Sequence, residues 1–230
     1  MIRYKFRNRM RRVYILIIFI VMSFCNLKAQ DYKFDIGVGA GLSSSYGDIN
    51  QWKPFYSPST AFEIIFRYHQ NLRWSWTVDF LSAGLKGSAK DFDNVIPGYS
   101  DFNYSSRLWQ LGGSAEFNFL NYGMGEGYRN MSRFSPFISL GIGLGGTSGT
   151  GKSFGLQIPM GIGVKYKLAP RIGMAAKMVF AKSFSDGFDG IKDPYKIESS
   201  ALKNSDWYST LSISISYEFG ERFCDCFNLD

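Results

Sequence analysis

Along most of the chain beyond residue 32, apolar and polar side chains alternate one by one. Phe34, Ile36, Val38, Ala40 and Leu42 share one face of a first segment, while Lys33, Asp35, Gly37, Gly39 and Gly41 share the other. Consecutive side chains of a β-strand point to opposite faces, so the alternation predicts a strand with two unlike surfaces. The pattern recurs. Phe62, Ile64, Phe66 and Tyr68 oppose Glu63, Ile65 and Arg67; Trp74, Trp76, Val78 and Phe80 oppose Ser75, Thr77 and Asp79. Trp109, Leu111, Ala115, Phe117 and Phe119 oppose Gln110, Gly112, Ser114, Glu116 and Asn118. In the second half, Ile138, Leu140, Ile142 and Leu144 oppose Ser139, Gly141 and Gly143. Phe154, Leu156, Ile158, Met160, Ile162, Val164, Tyr166 and Leu168 oppose Gln157, Gly161, Gly163, Lys165 and Lys167. Ile172, Met174, Ala176, Met178 and Phe180 oppose Gly173, Ala175 and Lys177. Finally, Trp207, Leu211, Ile213, Ile215, Tyr217 and Phe219 oppose Tyr208, Thr210, Ser212, Ser214, Ser216 and Glu218.

One surface is therefore apolar across eight strands and the other is polar or glycine. A soluble sandwich can also bury an apolar face. Two features favour a membrane. The strands run about ten residues or more, as a tilted spanning strand requires. The links also alternate between short (69–73, 169–171) and long (47–59, 86–104, 185–206), as in outer-membrane barrels. Two links depart from this rule: 121–133 is a long periplasmic turn and 146–153 a short outer loop. The expectation is an all-β protein, an eight-stranded antiparallel transmembrane β-barrel of the small outer-membrane kind. Its lipid-facing aromatics would include Trp74, Trp76, Trp109, Phe117, Trp207 and Phe219, and outer-membrane lipids would be its first partners. Phe219 closes the last strand as the barrel-assembly signal does, with eleven residues after it.

The first 29 residues read as a Sec signal peptide. Arg3, Lys5, Arg7, Arg9, Arg11 and Arg12 precede an apolar run of about a dozen residues, too short for a membrane-spanning helix, and small Ala29 ends the segment. Bulky Phe24 before Cys25 speaks against a lipoprotein. Residues 30–219 would form the barrel and 220–230 a periplasmic tail. The chain carries 26 Lys+Arg and 19 Asp+Glu; the leader holds seven of the basic residues, counting Lys28, and no acidic one, so the mature chain has 19 of each. The basic balance belongs to the targeting signal, and nucleic acid is not an expected partner. Cys224 and Cys226 stand in the tail as structural or inert thiols, able to pair with each other or with another chain.

An eight-stranded barrel is just wide enough for its own side chains to fill. The inward set includes Glu63, Arg67, Asp79, Glu116, Lys165, Lys177 and Glu218, with Arg67, Glu116, Lys165 and Glu218 toward the periplasmic end. Buried charges are costly unless paired, so a mixed-charge network that plugs the lumen is expected; a ligand site or gated path is the alternative. Residues 146–153 fit the phosphate-loop spacing G-x-x-x-x-G-K-S through Gly146, Gly151, Lys152 and Ser153. That loop works by opening a helix, whereas a strand pattern follows here, so no nucleotide is expected. Gly141, Gly143 and Gly146 fit G-x-G-x-x-G inside a strand. His69, the single histidine, reads as a turn residue. It has no nucleophile signature or metal-ligand cluster beside it, so neither catalysis nor a cofactor is expected.

Several phrases resemble PorG-like outer-membrane proteins of the type IX secretion system of the Bacteroidota. They are Gly37-Val38-Gly39-Ala40-Gly41 followed by Tyr46-Gly47-Asp48-Ile49-Asn50, then Glu63-Ile64-Ile65-Phe66-Arg67-Tyr68, Ala115-Glu116-Phe117-Asn118-Phe119 and Ser135-Pro136-Phe137. Ile158-Pro159-Met160-Gly161-Ile162-Gly163-Val164-Lys165-Tyr166-Lys167, Asn204-Ser205-Asp206-Trp207-Tyr208 and the leader end Lys28-Ala29-Gln30 are also similar. The resemblance implies a non-enzymatic barrel that fixes a periplasmic ring, made of a lipoprotein and its partner, to the outer membrane. The binding surface would then be periplasmic, with Tyr122, Met124, Tyr128, Arg129 and Phe134 in the long turn and Cys224 and Cys226 in the tail as contacts. Two other roles fit such a barrel: adhesion or membrane tethering through the outer loops, and lipid modification of the acyltransferase kind.

Overall fold

The computed structural model describes residues 32–46, 58–88, 103–124, 131–149, 153–184 and 207–221. The leader, most of the long links, Tyr128, Arg129, Cys224 and Cys226 lie outside them. Eight strands follow in chain order: β1 (Tyr32–Tyr46), β2 (Ser59–His69), β3 (Trp74–Ser88), β4 (Asn103–Asn118), β5 (Phe134–Gly149), β6 (Ser153–Ala169), β7 (Ile172–Ser183) and β8 (Trp207–Glu221). Each pairs antiparallel with its neighbours, and β8 returns to β1 to close a barrel. Links 70–73, 119–133 and 170–171 lie at the end shared by the start of β1 and the end of β8. Links 47–58, 89–102 and 184–206, with the short 150–152, lie at the other, which is the extracellular end of such barrels.

The alternation sorts side chains to the two faces as expected. Outside, Val38 is 63% exposed, Ile142 64% and Phe154 72%. Inside, Glu116 is 0% exposed and Lys165 2%. A water-soluble protein does the reverse; this surface is built for hydrocarbon. The lipid-facing aromatics cluster. Phe34 packs on Phe66, Tyr68 and Phe219 with centroids 5.4–5.9 Å apart near the periplasmic end. Trp74 packs on Phe117 at 5.0 Å, and Phe80 on Trp109 at 5.7 Å toward the other end.

Toward the extracellular end the pattern inverts. Ala61, Leu81, Ala83, Leu85, Leu108, Ala181 and Tyr208 turn inward and form a buried apolar cluster. The outer face there carries Ser82, Lys86 and Arg107. The wall has passed out of hydrocarbon into water, so the faces exchange character. This explains why β3 runs to Ser88 although alternation of the membrane sense stops near Phe80, so that the link begins later than residue 86. Similarly, β5 extends from Phe134 to Gly149, beyond the segment 138–144 in which the alternation is plainest. The phosphate-loop spacing falls on a hairpin: Gly146 pairs with Phe154 and Thr147 with Ser153, so two strands flank the link and no helix follows.

Glycines make room for the interior. A Cβ on Gly163 would stand 2.4 Å from the Ala176 carbonyl oxygen and 2.7 Å from the Phe137 ring, which lies across it in the lumen. Outward Gly113 has its nearest such neighbour at 4.0 Å. Gly163→Ala should therefore destabilise the barrel by about 1–3 kcal/mol in urea unfolding from micelles, the usual cost of overpacking. Gly113→Ala should unfold at the wild-type midpoint.

Candidate functional site: a charged plug in the barrel lumen

Cross-strand register gathers the inward charges of the periplasmic half. Asp35 on β1 stands opposite Arg67 on β2 and Glu218 on β8. Ser75 on β3 stands opposite His69 on β2 and Glu116 on β4. From these positions Arg67 donates through Nη1 to both carboxylate oxygens of Asp35, at 3.0 and 2.8 Å. Its Nε forms an ion pair with Glu116 at 2.8 Å. Lys165 reaches the same Glu116 carboxylate at 2.6 Å, and Lys167 pairs with Glu218. Three carboxylates thus face three cations. Such pairing is what permits charges to be buried at all.

His69 belongs to this cluster. Its Nε2 lies 2.9 Å from Asp35 Oδ2 and its Nδ1 2.9 Å from Ser75 Oγ. The turn position read from sequence is corrected here: His69 keeps the inward parity of Glu63, Ile65 and Arg67 and is buried. Asp35, His69 and Glu218 bring three potential metal-donor atoms within 4.8 Å of one another, but Arg67 and Lys167 already neutralise both carboxylates. Ser75, His69 and Asp35 also line up in the order of a hydrolytic relay, with Ser75 only 1% exposed.

Tyr122 is corrected too. Instead of presenting its ring on the surface of the periplasmic link, it turns into the mouth of the barrel. Its ring lies 5.3 Å from Lys167 Nζ and 5.8 Å from Lys165 Nζ, and burial pushes its phenol well above the ordinary range. Gly173 opposite leaves space for the hydroxyl. Phe134, also read as a turn contact, opens β5 on the outer face, paired with Tyr166 and 45% exposed, which makes it a lipid-facing aromatic. Met124 lines a cavity of about 30 Å³ at the mouth with His69, Tyr122 and Glu218, room for a water molecule or two.

The other inward charges form a second group. Lys177 lies 3.3 Å from Glu63, which also accepts a 2.8 Å hydrogen bond from Ser212. Asp79 joins them around a cavity of about 20 Å³. Farther on, the Tyr208 hydroxyl spans the lumen, donating to Gln157 at 2.8 Å and meeting Gln110. The sequence placed Glu63, Arg67, Asp79, Glu116, Lys165, Lys177 and Glu218 inside, and they are inside, in two clusters. Asp35, Lys167 and His69 were missing from that set although their parity pointed inward. Ion pairs, a tyrosine–glutamine layer and the apolar cluster succeed one another along the described interior.

Replacing Glu116 by Gln strips both Arg67 and Lys165 of a shared counter-charge. The variant should lose about 3–5 kcal/mol, the cost of breaking a buried pair, read as a lower urea midpoint and loss of heat-modifiable migration. Adding Lys165→Met should restore part of the loss. Wild-type stability in E116Q would show that the network does not hold the barrel together.

Comparison with known structures confirms the architecture. The chain resembles Neisserial surface protein A with a TM-score of 0.54 at 14% identity, covering 81% of this chain and 97% of that one. The attachment invasion locus protein Ail of Yersinia pestis gives a TM-score of 0.45 at 14% identity, covering 82% and 99% of the two chains. OprG, an outer-membrane protein of Pseudomonas aeruginosa, gives 0.46 at 14% identity, covering 84% and 98%. At 14% identity the likeness to Neisserial surface protein A is one of fold. No curated protein matches the sequence. Residues 11–228 match one family model, so the chain belongs to the family described as Domain of unknown function (DUF6089).

Proposed function

We propose that the protein is a non-enzymatic component of the type IX secretion system, a barrel that anchors the periplasmic lipoprotein-containing ring to the outer membrane. The observation that carries this reading is the footing of the periplasmic link. Tyr122 is seated in the plugged mouth, and its amide donates to Leu72 of the neighbouring link. Gly123 donates to Ser132, Ser132 to Asn121, and Arg73 Nε to the Asn121 side chain at 3.0 Å. Two links are stitched into one platform over a filled lumen. A filled lumen supports a role at the barrel's ends rather than transport through it, and a pinned link suits a partner that must be held in place. Met124, Tyr128, Arg129 and the tail with Cys224 and Cys226 remain the proposed contacts. The phrases shared with PorG-like proteins point the same way.

Catalysis is disfavoured because Ser75, the hydroxyl aligned with His69 and Asp35 among the described residues, is only 1% exposed. Adhesion or tethering is the second reading. It is favoured by the wall of strands that continues beyond hydrocarbon around its own apolar core. Shortening 89–102 should abolish surface attachment on that reading and leave ring recovery unchanged on the first.

Deleting residues 125–130, between the pinned Tyr122–Gly123 and Ser132, should abolish co-purification with the ring in mild detergent while heat-modifiable migration persists. Full recovery of the ring with a folded deletion variant would overturn the assignment.

A further inference from the structure

The place where the outer face changes from apolar to polar marks the level of lipid headgroups, and one patch there is built for an anion. On β4 the outward residues run Leu111, Trp109, Arg107, Ser105 toward the extracellular end; on β3 they run Phe80, Ser82, Gly84, Lys86. Gly84 pairs with Arg107 and Lys86 with Ser105, so the two residues are diagonal neighbours on one face, their backbone positions roughly 7–8 Å apart. Both are exposed. Arg107 is held in place: its Nε donates to Ser82 Oγ at 2.9 Å and its guanidinium lies 5.8 Å from the Trp109 ring centre. No carboxylate among the described residues pairs with Arg107 or Lys86. A fixed guanidinium whose Nη groups engage no described residue, beside a flexible ammonium, matches the geometry by which proteins hold phosphate. Directly below lie Phe80, Trp109 and Leu111, the last 60% exposed, a surface that acyl chains cover.

We propose that Lys86 and Arg107 bind the phosphate of a phosphorylated lipid of the outer leaflet, whose acyl chains lie along Phe80, Trp109 and Leu111. The site is on the side of the barrel, away from the periplasmic platform, and stands independently of the secretion role. A free anion would use the two cations but gain nothing from the aromatic face. The union of the two along one pair of strands selects a lipid.

Native mass spectrometry of the folded barrel, released from micelles holding bis-phosphorylated lipid A or its enzymatically dephosphorylated form, tests this. The wild type should retain the phosphorylated lipid and not the dephosphorylated one. The double variant Lys86→Gln, Arg107→Gln should retain it about thirtyfold more weakly, the loss expected for two membrane-surface cations. Lys182→Gln removes a cation at the same end whose ammonium lies over the Phe184 and Trp207 rings, and should retain the lipid as the wild type does. Millimolar inorganic phosphate should leave the lipid bound. Equal retention of both lipid forms by the wild type, unchanged retention by the double variant, an equal loss in Lys182→Gln, or displacement by inorganic phosphate would each overturn the proposal. Should the double variant not fold, the comparison of the two lipids on the wild type still decides it.

Discussion

Hydrocarbon offers no partner to a backbone N–H or C=O, and each such group left unpaired costs several kcal/mol. Every other feature of this chain follows from that constraint. A sheet in lipid must close, and here β8 returns to β1 along a ladder from Tyr32↔Glu221 to Tyr46↔Trp207. Once closed, the sheet has an outside and an inside, and every residue is assigned to one by parity. A register slip of one residue would carry Arg67 or Glu116 into lipid and Ile64 or Phe117 into the lumen. Register is therefore held from both faces at once.

The interior shows how that assignment is satisfied. Eight strands enclose too little space for a channel once side chains are present. Large inward groups sit opposite glycine, as Glu63 opposite Gly39 and Phe137 opposite Gly163. The charges do not need to add much net stability, since apolar replacements of a buried pair are often neutral. Their effect is on specificity. Asp35, Arg67, Glu116 and Lys165 come from four different strands, and only one arrangement of those strands brings their partners within 3 Å.

Strand number, facing and the charged interior were legible because parity is a local property that neighbouring residues reinforce. Three kinds of information were not local. Partnership was one: Asp35 faces inward by parity, but only closure of β1 against β2 and β8 shows that Arg67, His69 and Glu218 surround it. Link side chains were another, since nothing in the pattern says that Tyr122 folds back over Lys165 and Lys167 while Phe134 belongs to a strand. The third was the change of solvent. Leu81, Ala83 and Leu85 alternate as strictly as Trp76, Val78 and Phe80, but with the faces exchanged. A rule tuned to lipid reads such a stretch as the end of the strand.

That inversion measures the membrane. On β4 the outward apolar side chains run from Trp109 to Phe117 and on to Phe119 just beyond the strand. Ten residue steps at roughly 3.3 Å, tilted by roughly 40°, give a band about 25 Å high, the height of the outer-membrane hydrocarbon. Arginines on aromatic rings stand at both edges. Arg107 lies against Trp109 at one, while Arg171 at the other donates to the hydroxyl of buried Tyr32 at 2.9 Å and to that of outward-facing Tyr217 at 3.3 Å. An arginine at each edge resists movement of the barrel along the membrane normal, because displacement either way would drag a guanidinium into hydrocarbon. A barrel that is filled inside and clamped in depth holds its two water-facing rims at a constant height above and below the lipid.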